Sequence, residues 1–172
     1  MNRLRSLVNK FKKIEEVKSL FASTCSIWRK RILDNVKVKT PDKDFDTMIN
    51  IWGKYQLIAI THWRGTSPYH GAEGGLGYRD AMQDIEGVLP LDIKTAKEKL
   101  ELLLKYQYDY GHTVSGFSVI DGPWSNEGVT GKADVCVWLP YTVIAYVKET
   151  GDKAFLKKKI PYLNKGAGTV YE

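Results

Sequence analysis

Apolar residues recur every three or four positions through Leu4, Leu7, Val8, Phe11, Ile14, Val17, Leu20 and Phe21, the period of an amphipathic helix whose stripe needs a partner surface. Ile27, Trp28, Ile32 and Leu33 extend the pattern up to a break at Thr40-Pro41. Asp42 or Asp44 is placed to cap a second helix carrying Phe45, Met48, Ile49, Trp52, Tyr55 and Gln56 towards Trp63. After a loop-like stretch from Arg64 to Gly77, the pattern predicts a helix from about Arg79 to Leu89. Asp92 then caps another, with Leu100, Leu103, Leu104, Tyr106 and Gln107 facing a core.

Between Gly111 and Lys132 the segment GHTVSGFSVIDGPWSNEGVTGK shows no helical period. A loop of that length rich in glycine, aromatic and polar groups points to function. Helical spacing returns from Ala133 to Thr150, with Pro140 in the first turns and Gly151 as the stop, and a short helix is expected from Asp152 to Ile160. Helix follows helix with no alternating strand pair, so the fold class is all-α, built from helical hairpins with long loops at one end.

Composition narrows the class. Of 172 residues, 43% are hydrophobic and 27% charged, enough for one sizeable core. No stretch reaches the length of a membrane span, and the basic N-terminus lacks the apolar run of a signal peptide, so a cytoplasmic location is expected. The net charge of +6 is concentrated at Arg3, Arg5, Lys10, Lys12 and Lys13 and at Lys157, Lys158 and Lys159. Such runs on helices read as solvated faces, and no nucleic-acid motif accompanies them. Cys25 and Cys136 sit in apolar helical contexts and read as buried free thiols. His62, His70 and His112 lack metal-ligand spacing, so no metal is expected, and GAEGGLG lacks the lysine and preceding strand of a phosphate loop.

Two places carry candidate chemistry. In GGLGYRDAMQD, the residues Asp80, Gln83, Asp84 and Gly87 share one helix stripe beside Arg79. This is either a solvated face with a local counter-ion or a sugar cradle. In the cradle, carboxylates accept from vicinal hydroxyls, the guanidinium orients them, and Gly74, Gly75 and Gly77 allow close backbone approach. Asp134, in the first turn after the long loop, is either a helix-start aspartate complementing the macrodipole or a general acid in a pocket lined by Trp124, Trp138 and Phe117. The second role needs a raised pKa, against the pull of the helix dipole.

GLGYRDAMQD, KADVCVWLP and VKETGD followed by GAGTVYE occur in order. Together, from about Val38 onward, they resemble the inverting disaccharide phosphorylases of glycoside hydrolase family 94, with their G-[YF]-R-D-x-x-Q-D, D-D-x-L-W and V-K-E-[TS]-G-D segments. The resemblance implies an incomplete (α/α)6 toroid over residues 39–172 behind a helical linker over residues 1–38, in a fragment of a longer enzyme. It implies that Arg79, Asp80 and Asp84 hold the non-reducing-end sugar and that Asp134 is the proton donor, and Trp124 of the pocket read above is expected to bind the substrate with them. Val135 stands where the family has a second aspartate.

The implied reaction is inverting phosphorolysis of a β-linked disaccharide to a sugar 1-phosphate and a sugar. It needs no cofactor, and inorganic phosphate is the co-substrate. The expected partners are disaccharide, phosphate, and the missing remainder of the enzyme or a second copy, with neither nucleic acid nor membrane. The alternatives are a catalytically inactive sugar-binding or interaction module and a hydrolase on the same barrel. This chain alone is expected to be inactive.

Overall fold

The computed structural model describes residues 2–63, 75–118, 122–123, 134–164 and 166–170. Two compact units divide the chain, one covering residues 1–52 and one covering residues 53–172. The first holds α1 (Asn2–Phe11), α2 (Ile14–Trp28), a π-helical turn (Arg29–Leu33) and α3 (Lys43–Thr47). The continuous N-terminal helix expected from the apolar spacing is thus broken at Lys12-Lys13, where residue 13 is extended (φ −88°, ψ 118°). The stripe of Leu4, Leu7, Val8, Phe11, Ile14 and Val17 remains exposed. Asp42 caps α3 by accepting from the backbone N–H groups of Asp44 and Phe45, which resolves the choice between Asp42 and Asp44. Asn50 ties the preceding extended segment down by exchanging two hydrogen bonds with the Val38 backbone.

In the second unit, α4 (Lys54–Trp63), α5 (Tyr78–Val88), α6 (Ile93–Leu104) and α7 (Val135–Thr150) pack around α5. The α5 positions Tyr78, Met82, Ile85 and Val88 recur every three or four residues and are fully buried. Ala96, Leu100 and Leu103 of α6 and Leu139, Val143 and Tyr146 of α7 supply the facing surfaces. Helix directions follow from named contacts. The Tyr78 hydroxyl at the start of α5 donates to the Leu103 carbonyl at the end of α6 (3.1 Å), so α5 and α6 are antiparallel. Arg79 reaches Asp134 just before α7, and Glu86, two turns on, accepts from Thr142 (2.9 Å), so α5 and α7 run parallel. This alternation of antiparallel neighbours is that of an all-α layer of helical hairpins.

The glycine-rich stretches contain short strands, which the sequence pattern did not show. β1 (Gly75–Gly77), β2 (Gly116–Ser118) and β3 (Gly122–Pro123) form an antiparallel sheet in which Leu76 lies opposite Phe117. Three-residue strands are too short for alternation to be legible. Two further expectations are corrected. α6 ends at Leu104, and Gln107 instead pairs with Thr113 in an isolated bridge. The helix expected from Asp152 to Ile160 is a 3₁₀ turn (Lys153–Lys157) followed by β4 (Lys159–Pro161), which pairs with β5 (Ala167–Thr169). The cysteines are free but not buried: Cys25 is exposed on α2, which buries no residue, and Cys136 is half-buried at the open end of α7.

Asp152 closes the far end of the α6–α7 pair. Its carboxylate accepts from Lys97 Nζ (2.8 Å), from the Tyr146 hydroxyl (2.9 Å) and from the Phe155 backbone N–H (3.1 Å). Gly151 precedes it in the left-handed region (φ 70°), where a side chain would be strained. The hydrogen bond from Lys97, then that from Tyr146, holds the Asp152 pKa below the ordinary carboxylate value. A depressed folded-state pKa stabilises above the unfolded carboxylate value of about 3.9, and that contribution is lost as pH falls through the folded value. Thermal melts of Asp152→Asn are expected to show a lower Tm than the native chain at neutral pH, with the difference shrinking below about pH 4.

Candidate functional site

The N-termini of α5 and α7, the C-terminus of α6 and the β1–β2 ladder all lie at one end of the second unit. There Arg79 Nη1 donates to Asp134 Oδ2 at 2.9 Å, joining residues 55 positions apart in the chain. The side chains are 40% and 50% exposed, so both groups face solvent and any ligand that arrives there. The hydrogen bond to Asp134, followed by its charge, raises the Arg79 pKa, and the Asp80 charge adds to it. Reciprocally, the hydrogen bond from Arg79 holds Asp134 below the usual carboxylate range, with the Trp138 indole one turn on adding a smaller push in the same direction. Asp134 is therefore an anion at neutral pH. This is the opposite of the shift that a proton donor requires.

Asp80 bends back over the turn that starts α5. A Cβ placed on Gly77 would stand 2.6 Å from Asp80 Oδ2, so glycine at this position leaves the room that the carboxylate occupies. The φ of Gly77 is an ordinary −66°, so space rather than backbone freedom is what it contributes. Asp84, one turn on, has a different neighbour. It lines a cavity of about 10 Å³ together with Lys99, Thr61, Leu76, Ile85 and Phe117. That is room for one water at most, and a sugar does not fit. Burial pulls the Lys99 pKa down, while the Asp84 charge opposes the shift. The two carboxylates of the expected stripe thus serve different surroundings, Asp80 beside Arg79 and Asp84 against α6.

The pocket expected around Asp134 is also revised. Phe117 is completely buried in β2 and stacks on Tyr106 with ring centroids 3.9 Å apart, so it belongs to the core. Trp138 does accompany Asp134, and its ring meets Tyr141 edge-on at 5.7 Å. Trp124, His70 and Gly74 lie outside the described residues. Val135 is 3% exposed and packs into the core. An aspartate there would have its charge desolvated, so position 135 does not replace Asp134 at the surface. Sequence reasoning missed Lys99. Its signal was a charge three residues after Ala96 and four before Leu103, on the buried face of α6.

The fold and this end of it define an all-α unit with a solvent-facing arginine–carboxylate pair, and comparison with known proteins gives its family. Residues 27–172 match the glycosyl hydrolase 94 superfamily, catalytic domain, and the chain belongs to that family. It is 37% identical over 139 residues to a solabiose phosphorylase of Paenibacillus borealis, covering 81% of this chain and 16% of that protein. It is 29% identical over 187 residues to an N,N'-diacetylchitobiose phosphorylase of Vibrio furnissii, covering 95% of this chain and 23% of that protein. A cellobionic acid phosphorylase of Neurospora crassa is 32% identical over 142 residues, 78% of this chain and 16% of that protein. The chain therefore spans about a fifth or less of the length of two of these three relatives and slightly more of the third. Among the described residues, no helix is long and apolar enough to cross a membrane and no cluster of three or more His, Cys, Asp or Glu is placed to hold a metal ion.

Gly77→Ala is expected to keep the helix content and to shift Tm by less than roughly 4–8 °C, the change that corresponds to about 1 kcal/mol. It is also expected to displace the Asp80 carboxylate, read as a changed Arg79 guanidinium resonance in ¹⁵N NMR. An unchanged resonance would mean that the Asp80 carboxylate does not occupy the space above Gly77.

Proposed function

We propose that this chain forms one wall of the sugar-binding site of a cytoplasmic phosphorylase that cleaves β-linked disaccharides with inorganic phosphate. The observation that carries the reading is the solvent-facing cluster of Arg79, Asp80 and Asp134 at the joined N-termini of α5 and α7, in a chain of this family. A guanidinium, with five N–H donors, flanked by a carboxylate that accepts, matches the alternating donors and acceptors of vicinal hydroxyls. Trp124, beyond the described residues, is kept as a stacking partner for the ring, whereas Asp84, which lines the small cavity beside Lys99, is not part of the sugar-facing cluster.

In inverting phosphorolysis, phosphate attacks the anomeric carbon as the glycosidic oxygen leaves with a proton from a carboxylic acid. Phosphate is itself the nucleophile, so no second carboxylate is needed to activate water. A β-linkage yields an α-configured sugar 1-phosphate. No cofactor enters this scheme. The remaining polypeptide or a second copy completes the site.

Disaccharides such as cellobiose and N,N'-diacetylchitobiose incubated with phosphate and the full-length protein carrying these residues are expected to give a sugar 1-phosphate of inverted configuration, detected by ³¹P and ¹H NMR. Free sugars formed at a rate independent of phosphate would make it a hydrolase, and binding without turnover would make it a sugar-binding module. Arg79→Ala is expected to lower kcat/KM by about 100-fold, as loss of an orienting group does.

A further inference from the structure

The turn that joins α6 to β2 carries a second set of groups suited to carbohydrate. We propose that Tyr110, with His112, Asp109 and Asn164, forms a further sugar-binding site that takes one uncharged pyranose unit of a β-linked oligosaccharide. It shares no residue with the Arg79 cluster and holds whether or not that cluster binds sugar. The backbone fixes the turn from both sides. The Tyr108 N–H donates to the His112 carbonyl (2.8 Å) and the Gly111 N–H to the Tyr108 carbonyl (3.0 Å). Gly111 sits at φ 88°, a conformation that side chains rarely adopt. Gln107 bridges Thr113, and its carbonyl accepts from the Leu163 N–H (2.8 Å). A turn held in this way loses little freedom when a ligand arrives.

On that frame stands an aromatic platform. Tyr108 is buried, and Tyr110 stacks on it with ring centroids 5.2 Å apart and planes 22° from parallel. Tyr110 is itself 59% exposed, and the exposed His112 ring stands 5.5 Å from it at an angle of 50°. Beside them Asn164 and Asp109, both exposed, hold each other: Asn164 Nδ2 donates to Asp109 Oδ1 (2.8 Å) and Asn164 Oδ1 accepts from the Asp109 N–H (3.2 Å). A pyranose ring has faces of C–H groups and a rim of hydroxyls. The C–H face meets the negative face of a tyrosine ring, and the rim meets amide, carboxylate and imidazole groups that donate and accept. The Asp109 carboxylate disfavours a phosphorylated sugar. The platform is also close to the start of α5: Ser115, three residues after His112, accepts from the Tyr78 N–H, so at most about 11 Å of backbone separates the two.

The test is titration of the full-length protein with cellotetraose in the absence of phosphate, by calorimetry and by ¹⁹F NMR after incorporation of fluorotyrosine. The Tyr110 resonance, assigned by its absence from Tyr110→Phe, is expected to move on titration, in the native protein and in Arg79→Ala alike. Tyr110→Ala is expected to weaken the calorimetric affinity about 5- to 10-fold, the scale of one aromatic contact, and Tyr110→Phe to retain it. Asn164→Ala is expected to weaken it about three-fold, as loss of one uncharged hydrogen bond does. A Tyr110 resonance that does not move, or native affinity in Tyr110→Ala, would overturn the proposal. Movement lost in Arg79→Ala would make it a distant effect of that cluster and would overturn it as well. Failure of the protein to phosphorolyse disaccharides would leave this titration unaffected.

Discussion

Burial of α5 on the faces it turns to α4, α6 and α7 constrains everything else in residues 53–172. Tyr78, Met82, Ile85 and Val88 lose all contact with water, and each such side chain is worth about 1.5–3 kcal/mol on transfer from solvent. The phenol placed in that core is provided for. The Tyr78 hydroxyl, whose pKa burial pushes upward, stays protonated and donates to the Leu103 carbonyl. With its buried face fixed in this way, α5 has no freedom to rotate. The direction of its polar residues is then set by core packing, and the site inherits its geometry from that.

The chemistry collects at one end for a related reason. Antiparallel α6 returns the chain to the start of α5, and β2 hydrogen-bonds along β1 directly before it. The polypeptide is thereby brought back to the same end twice before α7 begins parallel to α5. Two helix starts side by side favour negative charge, and Asp80 in the first turn of α5 and Asp134 immediately before α7 stand where the backbone N–H groups point outward. Arg79 prevents the two carboxylates from simply repelling each other. At the opposite end the demand is structural: Asp152 gathers Lys97, Tyr146 and the 3₁₀ turn into one node, beneath the Lys97 contacts with the Tyr146 and Phe155 rings. The pKa values of Asp134 and Asp152 are each lowered by a cation, yet one pair joins two helix starts in contact with solvent while the other locks a corner.

Much of this was legible in the residue pattern. The caps at Asp42 and Asp92, the stop at Gly151, the tolerance of Pro140 near the start of α7 and the buried leucines of α6 all follow from local rules, because each depends on atoms within a turn of itself. The motifs that place the chain in its family are likewise contiguous strings. The failures have a common cause. Gly75–Gly77 and Gly116–Ser118 carry no strand signal of their own and become strands only through each other. Cys25 has an apolar neighbourhood in sequence but no buried partner in space.

The sequence by itself determined that most of the chain is helical, several of its caps and stops, which family the chain belongs to, and that Arg79, Asp80, Asp84 and Asp134 are the residues to consider. Tertiary structure alone decided their partners. It put Asp134 against Arg79, turned Asp84 towards Lys99 and a cavity of about 10 Å³, and sank Phe117 and Val135 into the core. Periodicity fixes which side chains share a face of one helix, whereas a pKa depends on what another helix brings to within about 3 Å of that face. That distance is set by the packing of buried surfaces, which no local stretch of the chain contains.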